Sequence, residues 1–346
     1  MIKTLVIEKA FEVFAQKPIH IESFPPSGSQ RQYFRLHFDS SIAGDKTIIA
    51  TYNENLKENQ LFLAYTQHLQ QYKIAVPKVY ISSNNYIYFQ EDLGNTTLLM
   101  HIETFDKEQY NQLLFPYYQK ALSDLAYMQT VAGKNLDFAL SSAHPTFDKM
   151  AMNWDLNYFK YWFLLPARIQ YDEYALEKDF QYFLSNFDDK GNDYFLFRDF
   201  QARNIMVKTN AELPFPKLYY IDYQGAKKGP LHYDVASLLY QAKANLAQET
   251  RDLLFDEYVK SVQAYIDIPD MEKFYKSYDY AVLLRLLQVL GSYGFRGFYE
   301  QKPHFLSSIP YAVQNIKNMI AQKPKIFDKM PQLRQILLKI IEQYSI

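Results

Sequence analysis

The 346-residue sequence contains no cysteine. Disulfides, thiolate metal sites and cysteine nucleophiles are therefore excluded, and the composition suits a reducing compartment. An excess of basic residues is also absent, because 37 Lys and Arg residues face 38 Asp and Glu residues. We therefore expect neither nucleic acid nor an anionic membrane surface as a partner.

Long apolar runs are missing as well. The N-terminal stretch is interrupted by Lys3, Glu8, Lys9 and Glu12, and it indicates an amphipathic helix rather than a signal peptide. The most apolar helical pattern, residues 281–290, carries Arg285 and is far shorter than the ~20 residues that a membrane span needs. These patterns predict a cytoplasmic protein without a membrane segment.

Apolar residues, by contrast, are plentiful. They make up 48% of the chain, and 17% of all residues are aromatic. A chain of this composition can bury a large core, so global disorder is excluded. The length exceeds that of one small core and indicates two lobes or domains.

The hydrophobic pattern changes near residue 92. Before it, the pattern predicts strand, strand, strand, helix, strand, strand at residues 19–24, 32–38, 46–52, 56–72, 78–81 and 86–89. From residue 98 the pattern is helical, apart from strand-like runs at residues 194–197, 205–207 and 218–222. We therefore predict an α+β fold with a small β-rich N-terminal lobe, residues 1–92, and a larger, mostly helical C-terminal lobe, residues 93–346.

Two short motifs carry the chemistry. Residues 197–204 read F-R-D-F-Q-A-R-N, which matches the kinase catalytic loop H-R-D-x-x-x-x-N except that Phe197 replaces the His. Eighteen residues after Asn204, the sequence I-D-Y-Q places Asp222 where a kinase has its metal-binding Asp. In the phosphoryl-transfer template, Asp199 accepts the proton of the acceptor hydroxyl. Asn204 and Asp222 supply oxygen ligands suited to Mg²⁺.

The spacing Asp-x-x-x-x-Asn recurs by chance, so one motif alone is weak support. The pair of motifs is more specific, because each lies beside a short β-run and both follow a strand-rich lobe of the expected order. The alternative is that Asp199 and Asp222 only cap turns.

These motifs resemble the aminoglycoside phosphotransferase/choline kinase superfamily and, within it, the bacterial N-acetylmuramate/N-acetylglucosamine 1-kinase family. The resemblance implies a protein-kinase-like two-lobed fold, ATP bound between the lobes, and transfer of the γ-phosphoryl group to a small polar acceptor. The acceptor group implied is the anomeric hydroxyl of an N-acetylated amino sugar. The matching segments are residues 27–36, 90–99, 197–207, 221–239 and 285–305.

The resemblance also implies roles for further residues. Asp234 corresponds to the family's structural Asp, which braces the catalytic loop. The hinge that bonds adenine through its backbone corresponds to Gln90, Glu91 and Asp92. The turn over the ATP phosphates corresponds to Ser27, Gly28, Ser29, Gln30 and Arg31.

Two departures from the family pattern concern nucleotide binding. The phosphate turn has one glycine instead of three. The third strand carries Thr51 about where a kinase has its phosphate-binding Lys. The residues that could supply the missing charge are Lys46, Lys57, Arg31 and Arg35, and the sequence does not choose among them.

The acceptor is the least determined part of the prediction. Asp148 and Asp155 lie in an aromatic-rich helix ahead of the predicted catalytic loop and could bind a sugar or amine. The alternative is a surface helix with an aromatic stripe that packs on the core. Arg285 could bind an acceptor carboxylate, or it could be an ordinary surface charge. An aminoglycoside or a choline-like alcohol is an alternative acceptor. A nucleotide-binding pseudokinase that acts as an interaction module is the alternative outside catalysis. ATP versus GTP and the oligomeric state stay open.

Overall fold

A five-stranded antiparallel sheet forms in the N-terminal part of the chain. In the computed structural model its strands lie in the order β1-β2-β3-β5-β4. The helices and strands are numbered along the chain, and those of the sheet are β1 (His20–Ser23), β2 (Gln32–Ile42), β3 (Asp45–Tyr52), β4 (Val79–Ile81) and β5 (Ile87–Glu91). The structure describes residues 2–25, 31–42, 44–140, 144–187, 193–209 and 215–345.

The two faces of the sheet carry different side chains, because successive side chains of a strand point alternately to one face and the other. Phe34 and Leu36 of β2 are buried in one cluster with Val6 and Ala10 of helix α1 (Ile2–Phe14). Arg35, between them, points to the opposite face. There, helix α2 (Leu56–Gln71) places Phe62 on Tyr88, with ring centroids 4.9 Å apart. Polar and charged groups therefore collect on the α2 face.

The chain divides into two compact units that are discontinuous in sequence. The sheet unit comprises Met1–His101 and Arg203–Gly225, and the helical unit comprises Ile102–Ala202 and Ala226–Ile346. The later segment of the sheet unit contains an antiparallel pair of strands, whose backbone bonds to earlier residues of that unit. Val207 N–H donates to the carbonyl of Thr96 at 2.9 Å, and Tyr220 N–H donates to that of Ala75 at 2.8 Å. The lobe boundary between residues 92 and 93 stays a prediction.

The remaining elements complete both units. The helical unit has a second strand pair, Tyr194–Leu196 with Lys227–Gly229, and its long helix Met271–Tyr293 packs against the helices Lys149–Phe159, His232–Leu239 and Ile309–Gln322. These elements are α3 (Leu98–Ile102), α4 (Tyr110–Thr130), α5 (Lys149–Phe159), α6 (Glu173–Ser185), β6 (Tyr194–Leu196), β7 (Ile205–Lys208), β8 (Lys217–Tyr220), β9 (Lys227–Gly229), α7 (His232–Leu239), α8 (Gln248–Gln263), α9 (Met271–Tyr293), α10 (Pro303–Leu306), α11 (Ile309–Gln322) and α12 (Pro331–Tyr344). Within the described ranges, no helix is both long and apolar enough to cross a membrane.

Helices α5 and α9 each continue into a π-helical segment, Lys160–Leu164 and Gly294–Tyr299. A Cβ atom at Gly294 would collide with the carbonyl oxygen of Trp162, so the two backbones are in close contact. Only glycine permits this approach. The Trp162 and Phe295 rings meet edge to face beside it, with centroids 4.6 Å apart. The contact fixes α5 and α9 relative to each other at one end.

The α+β fold class is confirmed, and the predicted order of strands and helices in the first ninety residues is found. Several strands were predicted one or two residues too long, and one of these differences concerns the site. The strand expected over residues 218–222 ends at Tyr220, and Asp222 has a φ of 70°. That backbone conformation is left-handed, which a strand does not accommodate. The short strand β9 was not predicted, because three residues give no periodic signal.

Candidate active site

The loop after β6 is held by one buried carboxylate of the helical unit. Asp234 lies in the first turn of α7 and is completely buried. Its oxygens accept hydrogen bonds from the backbone N–H groups of Phe197, at 2.7 Å, and of Arg198, at 2.9 Å. Burial raises the pKa of Asp234 to about 7, and the two backbone donors oppose this by favouring the charged form. These bonds fix the backbone immediately before Asp199.

Arg198 has an unusual backbone conformation, with a φ of 80°. Its guanidinium lies over two rings, 4.4 Å from the centroid of Phe147 and 4.9 Å from that of Tyr233. Its Nη2 atom donates to Oδ1 of Asp155 at 2.6 Å. Stacking and ion pairing thus hold a conformation that non-glycine residues rarely adopt, and such strain clusters at functional sites.

Asp199 follows Arg198, and its side chain is 44% exposed. Oδ1 of Asp199 is 3.4 Å from Nη2 of Arg285, a residue of α9. Further along the loop, the backbone N–H of Ala202 donates to Oε1 of Gln241 at 2.8 Å. The loop is therefore anchored at both ends, while the Asp199 carboxylate stays accessible to a ligand.

Asn204 and Asp222 come together in the sheet unit. Nδ2 of Asn204 is 3.4 Å from Oδ2 of Asp222, and Nε2 of Gln224 donates to Oδ1 of Asp222 at 2.8 Å. Asn204 is buried and Asp222 is exposed. The left-handed conformation of Asp222 turns the chain after β8 at this point.

The pair could supply two oxygen-bearing side chains to a cation. In the part of the chain that the structure describes, no group of three or more His, Asp or Glu residues could hold a metal ion. Asn204 and Asp222 therefore do not form a complete protein cage. Mg²⁺ commonly takes one or two protein ligands and completes its shell with water and phosphate oxygens, so the donor set fits magnesium brought in with a nucleotide.

The predicted hinge residues lie at the end of β5 and make side-chain contacts within the sheet unit. Gln90 donates to Oγ1 of Thr51 at 3.2 Å, and Glu91 accepts from Nζ of Lys208 at 3.0 Å. Asp92 forms a bidentate ion pair with Arg35, in which Nε and Nη2 of the arginine donate to the two carboxylate oxygens at 2.6 and 3.1 Å. Beside them is a polar cavity of about 430 Å³, lined by Arg35, Thr47, Asp92, Leu93, Gly94, Asn95, Thr96, Val207, Lys208 and Thr209.

Most of the predicted phosphate turn lies outside the described residues, namely Ser27, Gly28, Ser29 and Gln30. Arg31 is described. Its Nη2 atom is 2.8 Å from Oε1 of Glu58, in the first turn of α2, and its guanidinium is 5.9 Å from the centroid of Phe62.

The four basic residues that could replace the missing Lys are placed differently. Lys46 and Lys57 are exposed. Arg35 is engaged by Asp92 and, at 3.4 Å, by Glu22. Arg31 is buried on the α2 face of the sheet with Glu58.

The three predicted acceptor residues all make contacts inside the helical unit. Asp148 caps α5 by accepting from the backbone N–H of Ala151, and it also contacts His144 at 3.0 Å. Asp155 holds Arg198, as described above. Arg285 is 3% exposed. Asp155 and Arg285 therefore lie next to the loop after β6, whereas Asp148 lies at the start of the same helix as Asp155.

Several residues of the site were not found from the sequence. Glu58 could have been predicted from the sequence. In the phosphoryl-transfer template, the cation that binds the nucleotide pairs with a Glu of the helix after the third strand. Tyr233 and Gln241 could not have been predicted from the sequence. Tyr233 contacts Arg285 and Gln241 contacts Ala202, and both contacts join positions far apart in the chain.

The sequence is similar to those of known kinases. Residues 137–268 match the model of the Ecdysteroid kinase-like family, which is less than half of the chain. An N-acetylmuramate/N-acetylglucosamine kinase of Pseudomonas aeruginosa is 24% identical over 68% of this chain and 68% of its own. One of Neisseria meningitidis is 24% identical over 90% of this chain and 87% of its own.

The fold has counterparts among solved structures. A crystal structure of choline kinase from Cryptosporidium parvum Iowa II has a TM-score of 0.60 at 12% identity, covering 97% of this chain and 99% of that one. The protein-kinase-like fold and the resemblance to the aminoglycoside phosphotransferase/choline kinase superfamily are confirmed. The curated relatives and the structural counterparts to which the chain is similar are small-molecule kinases. Within that class, the curated relatives that it matches are N-acetylmuramate/N-acetylglucosamine kinases.

Proposed function

We propose that the chain transfers the γ-phosphoryl group of ATP to the anomeric hydroxyl of an N-acetylated amino sugar. The observation that carries the proposal is the braced loop around Asp199. Asp234 fixes the backbone before Asp199, and the Asp199 side chain is 44% exposed. The similarity to N-acetylmuramate/N-acetylglucosamine kinases supports the amino sugar as acceptor.

In the proposed reaction, Asp199 is the general base. Its carboxylate accepts the proton of the sugar hydroxyl as that oxygen forms a bond to the γ-phosphorus. The bond between the γ-phosphorus and the oxygen bridging it to the β-phosphorus breaks, and ADP leaves with that electron pair. The products are ADP and a sugar 1-phosphate.

Asn204 and Asp222 would hold the magnesium ion that accompanies the nucleotide. When bound, the ion neutralises charge on the phosphate oxygens. Arg31 would add a second positive charge, held in place by Glu58. Of the predicted hinge residues, Gln90 and Glu91 lie within β5, and the Glu91 N–H already donates to the carbonyl of Lys78 at 2.8 Å, so adenine would bond to the backbone of Asp92. The cavity of about 430 Å³ beside them is of the size that small-molecule sites have.

The anomeric hydroxyl suits a site with a single carboxylate base. The ring oxygen withdraws electrons from the anomeric carbon, so this hydroxyl is the most acidic of the sugar. Its proton therefore passes to a carboxylate with less difficulty than that of another ring hydroxyl. Positioning against the γ-phosphate then supplies much of the rate.

The test compares N-acetylglucosamine with its methyl glycoside, which has the same ring but no free anomeric hydroxyl. We expect magnesium-dependent ADP release with the free sugar alone, and a product that is non-reducing and acid-labile. Equal rates for the two sugars would show that phosphate goes to another hydroxyl. ADP release with neither sugar, but with an aminoglycoside or choline, would show another acceptor class.

A further inference from the structure

A buried cation lies against the carboxylate of Asp199. Nη2 of Arg285 is 3.4 Å from Oδ1 of Asp199, and only 3% of Arg285 is exposed. The Asp199 side chain is itself 44% exposed. One side of this carboxylate therefore meets solvent, and the other meets a positive charge that solvent hardly reaches.

Arg285 is unusual for its surroundings in α9. The neighbouring Leu284 and Leu286 are buried, as is most of the helix around them. Nη1 of Arg285 donates to the hydroxyl of Tyr233 at 3.2 Å, and the guanidinium lies 5.5 Å from the centroid of that ring. Removing a guanidinium from water is unfavourable, and apolar residues of similar volume are often as stable. Packing alone therefore does not explain an arginine at this position.

Other charged groups near Arg285 have other partners. Arg198 is bound to Asp155 at 2.6 Å, and Asp155 is also 3.4 Å from the Tyr233 hydroxyl. Asp234 accepts the two backbone N–H groups of the loop. Arg285 thus contacts the proposed base directly, in a network whose other carboxylates are engaged elsewhere.

We infer that Arg285 is a positioning residue for the base: it holds Oδ1 of Asp199, directs Oδ2 to the acceptor hydroxyl and keeps the carboxylate ionised until that proton is transferred. The inference rests on the proposed function. It differs from the direct contact with an acceptor carboxylate that the sequence suggested, because a residue so buried acts through the group it touches. A nearby cation also weakens a carboxylate as a base, which an acidic anomeric hydroxyl tolerates.

The kinetic test uses Arg285→Met, Arg285→Lys and a matched control, Arg251→Met. Arg251 is 2% exposed, lies over the ring of Tyr240 and contacts Asn315, so its loss tests the burial of an arginine alone. We expect Arg285→Met to lower kcat about 10²-fold, the cost of a misplaced catalytic group, with the KM for ATP unchanged. The acid limb of its pH profile should move to higher pH. Arg285→Lys should restore part of the kcat and part of the wild-type pH profile. The Arg251→Met control should keep the acid limb of the pH profile at its wild-type position.

A titration separates this inference from the choice of acceptor. The ¹³C resonance of the Asp199 carboxyl, assigned by its loss in Asp199→Asn, should titrate at higher pH in Arg285→Met than in the wild type. This measurement needs no acceptor, so it holds even if the wild type phosphorylates no amino sugar. If Arg285→Met does not fold, Arg285→Lys and Tyr233→Phe replace it, and each should shift the midpoint in the same direction. An unchanged midpoint, or a raised acceptor KM with unchanged kcat, would overturn the inference.

Discussion

At the scale of single residues, the proposed chemistry depends on Asp199. An amide at this position keeps the shape of the side chain but cannot take a proton. We expect Asp199→Asn to lower kcat by about 10²–10⁴-fold, which is the usual loss for a general base. Binding of magnesium and ATP, measured by calorimetry, should stay near the wild-type value. A variant with near wild-type kcat would remove Asp199 from the mechanism.

Asp222 and Asn204 should differ in their effect on the metal. Asp222 supplies a charge as well as an oxygen, whereas Asn204 supplies a neutral oxygen. We expect Asp222→Ala to abolish the magnesium-dependent part of ATP affinity, and Asn204→Ala to raise the magnesium concentration required for half-maximal activity. Calorimetry with and without magnesium measures the first effect, and the rate of ADP release over a magnesium titration measures the second. Unchanged affinity in Asp222→Ala would mean that the metal binds elsewhere.

His232 gives a residue-scale prediction about pH. Burial lowers its pKa to about 3, and its Nε2 atom has no hydrogen-bond partner among the described residues. Because the unfolded chain takes up this proton at its ordinary pKa of 6.5, the stability due to neutral His232 is complete above pH 6.5. It is lost as the pH falls from 6.5 towards 3.

The comparison with His232→Phe isolates the contribution of His232 to stability. Such a comparison is needed because Asp234, whose pKa is raised, changes stability in the opposite direction over part of the same pH range. Between pH 6.5 and 5, the unfolding equilibrium of the wild type should shift towards the unfolded state by about tenfold per pH unit relative to the variant. Urea unfolding at several pH values measures this. Parallel curves would show that His232 is already protonated in the folded state.

At the scale of elements, helix α2 connects Arg31 to the segment that carries Asp222, the proposed metal ligand, within the sheet unit. Glu58 in its first turn holds Arg31, and Phe62 stacks on Tyr223, with centroids 5.5 Å apart. One turn further, Thr66 shares a hydrogen bond of 2.6 Å with the hydroxyl of Tyr223, which directly follows Asp222. A displacement of α2 would therefore move both groups that are proposed to face the phosphates.

The proposed role of the Arg31–Glu58 pair in phosphate binding can be tested by comparing ATP with adenosine, which has no phosphate. We expect Arg31→Gln to weaken ATP binding by about 10- to 100-fold, the usual worth of a charge-assisted hydrogen bond, without changing the affinity for adenosine. Glu58→Gln should have a smaller effect in the same direction. Lys57→Gln is the control, because it removes an exposed positive charge from the adjacent position. Equal weakening for adenosine and ATP would point to damage of the fold.

At the scale of the whole molecule, most elements and both motifs could be predicted from the sequence, because periodic apolar patterns and the F-R-D-F-Q-A-R-N spacing are local signals. The contacts that complete the site could not. Arg31 with Glu58, and Asp199 with Arg285, are pairs separated by long stretches of chain, and only tertiary packing selects one partner among many charges. The end of β8 was missed because Asp222 is left-handed, a conformation that its apolar neighbours do not reveal.

The discontinuity of the sheet unit has a consequence for how the protein is made. Residues Arg203–Gly225 belong to this unit, and they contribute the N–H groups that bond to Thr96 and Ala75. A ribosome delivers the chain in order, so the nascent sheet unit lacks its last two strands until Gly225 has left the exit tunnel. By then α4, α5 and α6 of the helical unit have already emerged. The first unit to begin folding therefore cannot be finished before much of the second has been synthesised.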